Sequence, residues 1–117
     1  MKYGQLIENL PVWNKFLNTE LSAECISPIV LMHQKLMEEL NFIAQEKKSI
    51  LEKYNGRTEG SVVMIDAKED VDKYNADIEY LMNSEINILP IAIKSSQIGS
   101  KLSPALAITL KDLVNIV

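Results

Sequence analysis

This 117-residue chain has one cysteine, one histidine and one tryptophan, and among its twelve basic residues only Arg57 is an arginine. A lone Cys25 cannot build a disulfide framework, so a reducing compartment is expected. One histidine and one cysteine are too few for a zinc site, which needs several converging ligands. No uncharged apolar run approaches the roughly 18 residues of a membrane span. The N-terminal stretch MKYGQLIENLPVW carries Glu8 and Asn9 where a secretory leader needs an apolar core. A cytoplasmic protein with no membrane contact is therefore expected. Sixteen acidic residues against twelve basic ones give a net charge of −4, which leaves no basic footprint for nucleic acid. There is no phosphate loop, dinucleotide fingerprint, Gly-x-Ser-x-Gly elbow or HExxH helix, so no catalytic, cofactor or metal residues are expected. What the chain does have is an ordinary globular balance, 47% apolar and 24% charged. Its length suits a single domain over 1–117.

The apolar residues follow helical periods. Tyr3, Leu6, Ile7, Leu10, Trp13, Phe16 and Leu17 are spaced by threes and fours and predict a helix over 3–20. Pro11 lies inside it and should kink or split it. Ser27-Pro28 is a helix-start signal, and no Gly or Pro follows until Asn55-Gly56. A helix over about 28–54 would be roughly 40 Å long, too long for one side of a compact chain whose radius of gyration should be about 13–14 Å. Part of it should project or meet a second copy. Asp66 and Glu69 form a weak capping box opening a helix over about 66–83, with Val71, Tyr74, Ile78, Leu81 and Met82 as its stripe. The two helices should pair as an antiparallel hairpin. The acids of DAKEDVDKYNAD lack calcium-loop spacing and read as a capped, solvated helix face.

Two β-prone runs remain, 61–65 and 86–93, the second interrupted by Pro90. Arg57 to Gly60 reads as a polar loop, and Ser95 to Lys101 as another. Ser103-Pro104 opens a closing helix with Leu106, Leu110, Leu113, Val114 and Val117 inward. The expected fold is α+β and mainly α. It has a long antiparallel helical hairpin, a two-stranded element pairing the two β-prone runs, and a C-terminal helix.

One row of the long helix, Ile29, His33, Leu36, Leu40, Ile43, Lys47, Ile50 and Tyr54, alternates steps of four and three as a coiled-coil seam does. Val30, Met37, Ala44 and Leu51 widen it. An apolar face longer than its neighbours can cover predicts self-association, most simply a homodimer. His33 reads as a satisfied core or interface histidine. Lys47 either snorkels to solvent or pairs across an interface. Trp13 beside Pro11 and Arg57 at the helix end are candidate partner contacts.

From Leu21 onward the chain resembles small helical-hairpin proteins of tailed bacteriophages and prophages. The matching pieces are LEKYNG at 51–56, YNADIEYLMNSEINI at 74–88 and LSPALAITL at 102–110. The resemblance implies a viral origin, action in the host bacterial cytoplasm and non-enzymatic binding of another protein, either to inhibit host defence or to assemble virion parts. The alternative is an oligomer that sequesters a nucleotide-type ligand through Lys47, Tyr54 and Arg57.

Overall fold

The computed structural model describes residues 1–98 and 103–117. Within these, the helices and strands follow in the order α1 (Tyr3–Leu17), α2 (Ile26–Lys53), β1 (Arg57–Glu59), β2 (Val62–Met64), α3 (Lys68–Asn83), β3 (Ile91–Ile93), α4 (Pro104–Thr109) and β4 (Val114–Ile116). The architecture is α+β and mainly α, built on the α2–α3 hairpin. Its antiparallel sense follows from contacts that run in opposite directions along the two helices: Tyr54 meets Asp77, while Phe42, earlier on α2, shares a hollow with Tyr80 and Leu81, later on α3.

α1 runs unbroken through Pro11, against the expected split. Proline removes only one hydrogen bond of the ladder. Leu6, Trp13 and Phe16, on both sides of it, are fully buried and anchor both halves in one core. α2 starts at Ile26, straight from a 3-10 turn at Ala23–Cys25. Pro28 therefore falls in the first turn, where a missing N–H costs nothing, and Ser27 makes no cap. The other end follows the sequence: Asn55 takes the left-handed conformation at φ 54°. Gly56 N–H donates to the Leu51 carbonyl at 2.9 Å and Asn55 N–H to that of Glu52 at 3.1 Å, the paired bonds of a Schellman stop. A Cβ on Gly56 would run into the Leu51 side chain.

The expected pairing of 61–65 with 86–93 does not occur. Instead β2 pairs antiparallel with β1 (Thr58 opposite Val63), and β3 pairs parallel with β4 (Ala92 opposite Asn115). The reason is distance. β1 and β2 sit beyond the far end of α2, a helix of 28 residues and about 42 Å, while β3 packs near its start. The polar loop expected at 57–60 is thus a strand and a two-residue turn. Gly60 at φ 63° supplies the positive φ that a tight hairpin turn needs. Asp66 does not cap α3. The helix begins at Lys68 without a side-chain cap, and the Asp66 carboxylate takes Arg57 Nη1 at 3.1 Å.

The closing helix is also shorter than expected. Ser103 Oγ accepts from Leu106 N–H at 3.2 Å, so the cap forms, but α4 ends at Thr109. The β-branched Val114 and Ile116 leave the helix to pair with β3, where Ile91 N–H donates to the Leu113 carbonyl at 2.9 Å. Val114 is buried in that pairing, whereas Val117, expected inward, is exposed. A parallel pair needs a crossover, and α4 lies within it. Of the loop expected at 95–101, Ser95–Gln97 is a 3-10 turn, and 99–101 lies outside the described residues.

Burial divides the molecule. The core gathers Leu6, Trp13 and Phe16 of α1, Ile29, Met32, Leu36 and Ile43 of α2, Leu81 of α3, and Ile86, Ile93, Leu110, Leu113 and Val114. Between residues 44 and 80 no side chain is fully buried. The fold is thus a packed head carrying an arm made of the last part of α2, the β1–β2 hairpin and most of α3. The extents of 56 × 25 × 20 Å and radius of gyration of 17.7 Å match the expected projection.

Candidate functional site

Three of the eight seam candidates are spent inside the chain: Ile29, Leu36 and Ile43 are core residues. They are not free for a second copy, because they are buried in the core they share with residues of α1, β3 and the C-terminal segment. His33, Leu40, Ile50 and Tyr54 are half-buried, and Lys47 is exposed. Trp13, the candidate partner contact, is fully buried, and its Nε1–H donates to His33 Nδ1 at 3.2 Å. That bond uses Nδ1 as its acceptor and joins the one Trp to the one His. Cys25 is buried, with Sγ 3.7 Å from Ser22 Oγ.

The row beside the seam is the one left open. Ile26, Val30 and Met37 are 55%, 46% and 39% exposed. With Ala44 they form a strip along one flank of α2, at spacings that keep a helical face in line. Half-buried His33 and Leu40 border it on the core side.

The opposite flank of α2 carries a hollow of about 460 Å³ at the junction of head and arm. Tyr3 of α1, Phe42, Glu46 and Ile50 of α2, and Tyr80 and Leu81 of α3 line it, with Lys53, Asp77, Ser84 and Glu85 at the rim. The Tyr3 and Phe42 ring centroids are 6.0 Å apart at 32°, within the range of favourable aromatic pairs. Tyr3 Oη donates to Glu39 Oε2 at 3.0 Å. Burial, and then that carboxylate, push the phenol above its usual pKa, and the negative charge of Glu46 adds to the shift. A second, more apolar hollow of about 490 Å³ lies nearer the start of α2, among Pro28, Leu31, Met32, Ile88, Leu89 and Ile91.

Asp77 is the polar node of the arm. It accepts from Tyr54 Oη at 2.6 Å and from Lys53 Nζ at 3.3 Å. Those donors, Tyr54 first, hold its carboxyl below the usual range; the Asp77 carboxylate in turn raises the Tyr54 phenol, and Tyr54 and then Asp77 raise the Lys53 ammonium. Lys53 Nζ also lies 5.2 Å from the Tyr54 ring centroid, a cation–π contact. Arg57 is held by Asp66 at 3.1 Å and Glu59 at 3.2 Å. Of the groups expected to grip a nucleotide-type anion, Tyr54 and Arg57 are thus engaged by carboxylates, and Lys47 stands exposed.

Helical spacing put Phe42 and Tyr80 with the core aromatics, but both are exposed, 45% and 80%, and a signal against that reading was present. Phe42 belongs to neither apolar row of α2, and Tyr80 falls off the α3 stripe. A large aromatic off the stripe faces solvent, and there it suits recognition better than packing.

Among the described residues no group of three or more His, Cys, Asp or Glu side chains could hold a metal ion, and no helix is long and apolar enough to cross a membrane. No protein-family model, curated protein or solved structure matches the chain.

Proposed function

We propose that the chain is a non-enzymatic interaction protein of the phage or prophage type, acting in the bacterial cytoplasm by binding another protein. In this reading it works as a homodimer seamed along α2. The observation that carries it is the open strip of Ile26, Val30, Met37 and Ala44 beside a face already filled from within. Exposed apolar residues are ordinary when scattered, but an aligned row on a long helix marks an interaction surface. The residues that enclose a reactive centre in an enzyme are spent here on structure: His33 on Trp13, Arg57 on Asp66, Tyr54 on Asp77. That distribution also gives a nucleotide-sequestering role no specific support.

Light scattering at micromolar concentration tests the dimer, which should weigh twice the 13.2 kDa of one chain. A mass near 13.2 kDa removes it. Affinity capture from host lysate with mass spectrometry tests the partner. Recovery of a host defence protein supports inhibition, and recovery of phage structural proteins alone supports assembly.

A further inference from the structure

The hollow at the junction of head and arm has a chemistry that dimerisation along the other flank of α2 does not use. Its walls are aromatic and its charge is acidic. Tyr3 and Phe42 form one side, and Tyr80, 80% exposed on α3, stands at the other. Glu46 lines it, half-buried, and among the described residues no basic side chain is ion-paired with it. The other charges nearby are matched: Asp77 holds Lys53, and Glu85 holds the N-terminal ammonium at 3.0 Å. One unmatched carboxylate among aromatic faces is complementary to a cation, whose charge meets the ring quadrupoles and the acid together.

We infer that this hollow receives an arginine side chain presented by the partner protein. The inference rests on the reading above of a protein-binding chain. Arginine fits better than lysine because a planar, weakly hydrated guanidinium stacks on aromatic rings while its N–H fork meets a carboxylate. The volume of about 460 Å³ exceeds what one side chain fills, so flanking partner residues enter with it. The chain's net charge of −4 favours approach by a basic surface.

The test is a titration of the full-length ¹⁵N-labelled chain with N-acetyl-arginine amide and, separately, with its neutral isostere N-acetyl-citrulline amide. The expected result is saturable shifts at the amides of Tyr3, Phe42, Glu46 and Tyr80, with the citrulline probe about ten-fold weaker. Tyr80→Ala should weaken arginine-amide binding about five-fold, the size of one cation–π contact. Tyr80 is exposed enough for that variant to keep its fold, and Glu46→Gln gives a second reading if it does not. Equal binding of both probes, shifts centred elsewhere, or no effect of either variant overturns the assignment. The two readings also fail separately. Partner capture without arginine-amide binding removes the pocket and leaves the binding role. Arginine-amide binding without any captured partner keeps the pocket and removes the role.

Discussion

The head and the arm are made from the same helices by different means. In the head, α2 shares one core with α1, β3 and the C-terminal segment, and its inward residues are shut from solvent. In the arm the same helix has only α3 beside it. Ile50, Tyr54, Val71, Tyr74 and Ile78 stay half-buried, and charged pairs at Asp77 and Arg57 join the elements. Two helices side by side cannot close a core, because each needs an apolar stripe covered over about 100° or more. Exposed ion pairs add little to stability. The difference shows that the period of α2 specifies a helix along its whole length, while its neighbours alone decide where that helix becomes interior.

The largest expected effect lies in the head. Leu36→Ala or Trp13→Ala should cost about 3–5 kcal/mol, as truncations of fully buried large residues do, read by chemical denaturation. Ile78→Ala in the arm should cost about 1 kcal/mol, since its half-buried side chain has less to lose. Equal costs at both sites would break the comparison and mean that something covers the arm in solution.

Next in size is His33→Ala, which leaves the buried Trp13 Nε1–H without its acceptor and should cost about 1–3 kcal/mol. His33→Gln, which keeps an acceptor on the side chain, should recover part of it. If His33→Ala is neutral in denaturation, the bond is not contributing.

A mass measurement sharpens the contrast between the two flanks of α2. Val30→Lys with Met37→Lys should halve the light-scattering mass of a dimer with little change in stability, because both side chains face outward. Retention of the dimer would place the seam elsewhere.

The smallest effect concerns pH and is confined to the arm. Asp77 titrates below its usual value when folded, so its contribution is fully present above the ordinary aspartate range of about 4 and fades as pH falls through the lowered value. Hydrogen-exchange protection at Lys53, Tyr54 and Ile78, taken relative to the intrinsic exchange rate at each pH, should fall on acidification sooner than at Leu6 or Leu36. Asp77→Asn should remove Asp77's part of that pH dependence, and an unchanged profile would assign all of it to other groups.

The local features of this fold were legible. The Ser103 cap, the stop at Asn55-Gly56 and the periods of α2 and α3 depend on residues within one or two turns of each other. The features that failed are set by distant chain. Nothing near Val114 announces that Ile91 will pair with it, and a three-residue strand is too short to carry a period of its own. β1 is Arg57-Thr58-Glu59, with no apolar alternation at all, and its pairing rests on the Gly60-Ser61 turn. For the site, the sequence marked α2 as the surface to watch but chose the row facing the core. Rows 29-36-43 and 30-37-44 differ by one residue, or about 100° around the axis, and only the placement of the distant elements that share the core separates them.

The parallel pairing of β3 with β4 has a consequence for the order of synthesis. Leu110, Leu113 and Val114 are core residues supplied by the last part of the described chain, and they pack with Leu6 and Trp13 from its first turns. While the ribosome is still adding residues before 110, the head lacks its closing side chains. The arm, whose contacts span 44–80, has by then every residue it needs. On the growing chain the marginal hairpin can therefore form first, and the stable head last, with Trp13 and Leu36 open to solvent in between. Released chains truncated between about residues 85 and 110 should accordingly be captured by chaperones more than the chain of 117 residues.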